Sequence, residues 1–345
     1  MRTGLAGLVG LLLAACGQGA TGPDMEVILA DKPAPVLSAY GLFADAAARE
    51  PADGVIAYDL INPLFSDHAL KHRYVYVPGG TTAQYEPEEV FDFPVGSVLV
   101  KTFAFAPDMR APSEGERYRE TRLLIRKEAG WAAYPYVWNA DETEAAYAPA
   151  GDWLDLAFTA PDGEALEIDY RVPNQNQCKT CHQLGDAIAP IGPRARNLNH
   201  DGPYGRAQLA DWSARGILEG VPGSPPSVPD VSDVTAPLAD RARAYLDVNC
   251  AHCHRLEGSA SNSGLFLGYG VEGSTAIGIG KHPVAAGRGA GDALYVIARG
   301  APDASILTYR MASTEAGVAM PELGRSVIDE DGIELVRDWI AGMEE

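Results

Sequence analysis

The sequence predicts an α+β protein, with a β-rich N-terminal domain over 38–220 and an all-α C-terminal domain over 237–345. Three observations carry that prediction. Between about residues 40 and 172, runs rich in β-branched and aromatic residues alternate with glycine and proline turns. The stretch VPGSPPSVPDVSDVTAP at 221–237 holds five prolines and reads as a linker over 221–236. Beyond it the periodicity turns helical, in LADRARAYLDVN and again near the C-terminus.

Taken in order, the chain opens on MRTGLAGLVGLLLAAC, where Arg2 precedes an uncharged, Leu-rich run from Gly4 to Ala15. This is the layout of a secretory signal over 1–15, too short for a permanent membrane span. Leu13-Ala14-Ala15-Cys16 resembles a bacterial lipobox, which implies cleavage before Cys16 and lipidation of that residue; several acyl chains give a stable anchor. The small, polar GQGATGPD that follows reads as part of a lipidated tether over 16–37. Gln18, rather than Asp, follows Gly17, and resemblance to the enteric sorting pattern then implies the outer membrane. The expected location is the periplasmic face of a bacterial membrane.

In the body, SVLVKTFAF at 97–105, ETRLLIRK at 120–127 and GWAAYPYVWNA at 130–140 are strand candidates, and short turns between them suggest an antiparallel sheet or barrel. GRAQLADWSARGIL at 205–218 reads as a short helix. LADRARAYLDVN reads as a helix running straight into a cysteine motif. In DEDGIELVRDWIAGM, Ile333, Val336, Trp339 and Ile340 share one helical face, and Asp329 to Asp331 place acid at the helix start. A net charge of -20 argues against nucleic acid as a partner, because phosphate repels such a surface, and fits a basic redox partner protein or simple solubility equally well.

The chain has five cysteines, and apart from Cys16 they fall in two copies of one pattern, CKTCH at 178–182 and CAHCH at 250–254. Two thiols two residues apart on a helical turn suit the two vinyl groups on one edge of a haem, and the adjacent histidine suits its iron. A zinc site, a redox dithiol and a structural disulfide are the competing readings of one such motif. Two copies that use every cysteine of the mature body, in an exported chain, favour two covalently bound haem c groups. Cys178 and Cys181 would hold one with His182 as proximal ligand; Cys250, Cys253 and His254 would hold the other.

For the sixth position of the second iron, Met320 stands before Pro321 in GVAMPELG, and this resembles the class I cytochrome c pattern of a methionine on a loop ahead of a C-terminal helix. Met311 is the competitor, with a core methionine as its plainer role. The first motif has no such marker: His200 is the only histidine in the 40 residues after His182. His68 and His72 are an i, i+4 pair able to approach a metal if SDHALKHR is helical. His252, inside the second motif, is expected to face solvent.

Together, GWAAYPYVWNADETEA, NQNQCKTCHQLG, RARNLNHDGPYG, NCAHCHRLEG and MPELGRSVIDEDG resemble a family of bacterial dihaem c-type cytochromes. The resemblance covers most of the mature chain. It implies a β-rich N-terminal half ending in one haem site and a cytochrome c-like C-terminal domain carrying the other. It also implies electron transfer. A narrower resemblance, FPVGSVLVKTF ahead of a β-rich region ending in CxxCH, is to the lysine-cross-linked haem enzymes that oxidise hydroxylamine. It implies a role for Lys101, whose plainer reading is a strand lysine facing water.

The function these residues favour is a membrane-tethered carrier of single electrons between redox partner proteins, periplasmic or membrane-bound. The alternative is a haem enzyme or gas-binding protein that meets peroxide or a nitrogen oxide at the first haem.

Overall fold

A computed structural model describes residues 22–45 and 49–344; the signal segment, Cys16 and the start of the expected tether, to residue 21, lie outside them. Helix α1 (Met25–Leu29) is capped by Asp24, whose Oδ1 accepts the Glu26 N–H at 2.9 Å. A short ribbon, β1 (Phe43–Asp45) with β2 (Glu50–Pro51), precedes the main sheet.

That sheet has six antiparallel strands: β3 (Val55–Tyr58), β4 (Leu70–Tyr76), β6 (Val98–Phe105), β7 (Arg117–Lys127), β8 (Gly130–Trp138) and β9 (Ala145–Tyr147), in the order β3-β4-β6-β7-β8-β9. The three strands expected from sequence are its centre. They form because alternating residues can be buried on both faces. One face, with Val98, Val100, Leu123, Ile125 and Tyr136, packs under the N-terminal segment against Ile28, Leu37 and Tyr40.

The opposite face carries two apolar patches. One joins Ile56, Val75 and Leu99 to Leu198, Leu209 and Trp212, which lie on α3 (Ala195–Leu198) and α4 (Gln208–Ala214). The other joins Phe103 and Phe105 to a separate two-stranded hairpin, β10 (Asp152–Thr159) and β11 (Ala165–Val172). The small strands β5 (Ala83–Gln84) and β14 (Leu218–Glu219) pair in parallel.

The C-terminal expectation is corrected. Residues 237–345 do not form an all-α domain. Among the described residues they hold three α-helices: α5 (Leu238–Asn249), α6 (Ile306–Met311) and α7 (Glu330–Ala341), of 12, 6 and 12 residues. The glycine-rich stretch between α5 and α6 offers no repeated apolar face and is held as turns and loops. The two long helices lie where the sequence placed them. Asp329 caps α7 by accepting the Gly332 N–H at 3.1 Å, and Leu246, Leu267, Ile297, Val336 and Ile340 form a small core.

The proline-rich 221–236 stretch lies along the body. Val228 is buried and its N–H donates to Arg196 O at 3.0 Å, while Asn62 Nδ2 donates to Pro229 O at 2.8 Å. His68 and His72 do not share a helix: His72 is on β4, paired with Glu116, and His68 sits in a turn with φ of 60°. No described helix is long and apolar enough to cross a membrane.

Candidate functional site

The first motif is the one-and-a-half-turn helix α2 (Cys178–His182). It leads into β12 (Gln183–Leu184) and β13 (Ala187–Ile188), a tight hairpin that brings Ala189 O within 2.8 Å of His182 Nδ1. Since a carbonyl only accepts, Nδ1 carries the proton and Nε2 keeps its lone pair. The second motif follows α5, with Cys250 as C-cap and the N–H of His254 donating to Cys250 O at 2.9 Å. His254 Nδ1 lies 3.2 Å from Ser263 Oγ, whose own proton goes to Ala260 O at 2.7 Å. Here too Nδ1 is the donor. Both imidazoles therefore present Nε2 as an acceptor with the ring fixed by its other nitrogen, the arrangement that orients a metal-ligating histidine. Burial drives the pKa of each down to about 4, so both are neutral near pH 7.

The two motifs touch. Ser259 Oγ donates to Thr180 O at 2.8 Å, and the Gly185 N–H donates to Glu257 O at 2.8 Å. Ligand atoms of Cys181, His252 and Cys253 lie within 4.8 Å of one another. The Cys181–Cys253 hydrogen bond, aided by His252, holds Cys253 below the ordinary thiol range, and the same contact pushes Cys181 up. Burial pushes Cys250 up to about 12 and also raises Cys178. His252 faces inward, contrary to the solvent position expected of it: it is 7% exposed. Periodicity gave no signal for this, because the packing comes from α2 of the other motif.

Two cavities flank this junction. The larger, about 690 Å³, is lined by Cys250, Cys253 and His254 and by Met311 and Met320, with Leu265, Val296, Leu307 and Ile333 also in its walls. Cys181 also opens onto it. Its volume falls within the range of cofactor pockets, ~300–1,000 Å³. Arg325 holds its methionine-bearing rim by donating from Nη2 to Met311 O at 3.0 Å, Ser313 O at 2.7 Å and Met320 O at 3.0 Å. Met311 is buried in the C-terminal core, whereas Met320 is half-buried on the adjoining loop.

The smaller cavity, about 120 Å³, lies between Cys178 and His182 and the main sheet. Lys101 lines it, so this lysine faces inward and not outward as its plainer reading had it. A haem fits the donor set and volume of the larger cavity; it does not fit the smaller one as the chain is arranged.

No protein-family model matches the chain, and neither a curated protein nor a solved structure matches it.

Proposed function

We propose that this chain is an exported, lipid-tethered c-type haem protein that passes single electrons between redox partner proteins. The observation that carries the reading is one 690 Å³ cavity lined both by Cys250, Cys253 and His254 and by Met311 and Met320. Cys250 and Cys253 would hold the haem covalently, and His254 with Met320, or failing it Met311, would ligate the iron, which supplies a one-electron couple. Ser263 orients His254, Arg325 fixes the methionine rim, and Leu265, Val296 and Leu307 restrict water at the site. The first motif has the same local preparation, a helical turn and an anchored histidine. A second haem on Cys178 and Cys181 requires the 120 Å³ space beside His182 to widen.

A second reading rests on a different observation. Cys181, His252 and Cys253 bring two soft sulfur donors and one imidazole nitrogen into one cluster, suited to zinc or cuprous ion. One experiment separates the two. The chain, expressed with a haem-maturation system, is denatured and acid-extracted, and retained haem, iron and zinc are counted per polypeptide. Haem that survives extraction supports the proposal, and the count gives one site or two. Zinc or copper in place of iron transfers the assignment to the cluster.

A further inference from the structure

Strand register sets three cations side by side. Arg73 on β4 stands opposite Lys101 on β6, and Lys101 stands opposite Arg122 on β7. Neighbouring strands are about 4.8 Å apart, and like charges directly opposite one another destabilise a sheet. The row lies between the two apolar patches of that face and walls the 120 Å³ cavity, and Arg194 joins it from the loop before α3.

Some of this charge is answered. Arg122 pairs with Glu120, Arg73 reaches Asp59 at 3.4 Å, Asp247 is engaged by Arg196 at 2.9 Å with Arg194 at 3.8 Å, and Arg194 Nη2 also reaches Glu89 at 3.5 Å. The rest is not. Lys101 has no hydrogen-bond or ion-pair partner among the described residues, only the Phe103 ring at 4.7 Å. Arg194 Nε and His252 Nδ1 are buried without a hydrogen-bond partner, and both residues line the same cavity. The other titratable groups that face it are Asp247, whose carboxylate is taken up by Arg196 and the Tyr269 N–H, and Tyr58, Tyr134, Cys178 and His182, none of which four supplies an anion near neutral pH.

We propose that this cavity binds a small oxyanion, received by Lys101 and Arg194 with Arg73 and Arg122 completing a cationic wall. At ~30 Å³ per water, its volume holds about four water molecules, room for nitrite, sulfate, phosphate or a single carboxylate. The same chemistry has two sources: a free anion, or a carboxylate of a haem joined to Cys178 and Cys181. The inference does not rest on the haem reading, because the cation row belongs to the sheet.

The test uses the full mature chain in haem-free and haem-bearing forms. Each is titrated calorimetrically with nitrite, sulfate and inorganic phosphate at constant ionic strength set with chloride, and its thermal midpoint is followed. The haem-free chain should bind at least one of these oxyanions and melt later in its presence. Lys101→Met should weaken that binding about tenfold or more, as loss of a charge-assisted contact does, while Lys32→Met, at an exposed site, should leave it unchanged. Binding that persists in the haem-bearing form assigns a free anion; binding abolished by haem attachment assigns the haem carboxylate. If Lys101→Met does not fold, Arg194→Gln, outside the sheet, carries the same expectation. The proposal is overturned if no oxyanion binds the haem-free chain more tightly than chloride, or if the foldable variant binds as wild type does.

Discussion

Removing the Asp247 carboxylate should weaken the whole molecule, because it joins the helix that leads into CAHCH to the N-terminal body. Arg196 donates to it twice, at 2.9 and 3.0 Å, and the Tyr269 N–H donates to it at 3.0 Å. Arg196 and Asp247 are only 6% and 7% exposed. In Asp247→Ala, Arg196 keeps Glu88 O and Glu88 Oε2, both at 3.1 Å, but loses its buried counter-charge. Breaking a buried pair from one side costs about 3–5 kcal/mol, and an unpaired backbone N–H adds ~1 kcal/mol. Glu88 offsets part of this, though its side chain is 72% exposed and water screens it. The net loss should be about 3 kcal/mol. Urea unfolding followed by tryptophan fluorescence reads it as a lower midpoint at unchanged slope. Because the cost comes from an orphaned charge, Arg196→Leu with Asp247→Leu should recover most of the stability, giving a coupling of at least ~2 kcal/mol in the double-mutant cycle. A single-variant loss below ~1 kcal/mol, or strictly additive losses, would refute the reasoning.

Met320→Ala should abolish the long-wavelength absorbance band of sulfur-ligated ferric haem and lower one reduction potential; if both persist and Met311→Ala removes them, Met311 is the ligand. Cys16→Ser should release the body from membranes, or leave it unprocessed, without changing haem content; a correctly cleaved Cys16→Ser chain that still pellets with membranes contradicts the lipid anchor. Burial, reinforced by Arg73, pulls Lys71 down from 10.5 to about 7. The unfolded chain therefore binds more protons than the folded one between those values, and stability should rise with pH from about 7 to about 10 by up to ~4 kcal/mol. Lys71→Met should flatten that rise; an equal rise in the variant contradicts the assignment.

The sheet was legible because strand residues were patterned for it: SVLVKTFAF and ETRLLIRK became β6 and β7 within a few residues of their expected bounds. Local capping made α7 legible, through Asp329. The all-α expectation failed where two real helices were extrapolated across loops that have no periodicity. His68 and His72 misled because i, i+4 spacing implies a shared face only on a helix, and the run beginning at Leu70 is a strand. In the candidate site, the CxxCH turns were legible from spacing alone. The contact between motifs was not, because nothing local to residue 181 announces residue 253. Nor was the cation row, since Arg73, Lys101 and Arg122 become neighbours only once two strand registers are fixed.

How the two motifs come to meet follows from the bonds that dock the C-terminal half. Arg255 grips Glu89 at 2.7 and 2.9 Å, the Phe65 N–H donates to Asn249 Oδ1 at 2.8 Å, and Asp67 Oδ1 accepts the Val327 N–H at 2.9 Å. With Arg196–Asp247, these are directional contacts, satisfied only at one relative placement, whereas apolar area tolerates sliding. They surround the junction: Asn249 precedes Cys250, Arg255 follows His254, and Asp247 lies one turn before the motif. The polar pairs therefore fix the second motif against α2, which itself rests on the cationic face of the sheet. Arg255→Ala, which leaves all four motif thiols in place, should consequently disturb the spectra or potentials of groups at both motifs together, where a change confined to the second motif would mean that the two are positioned independently.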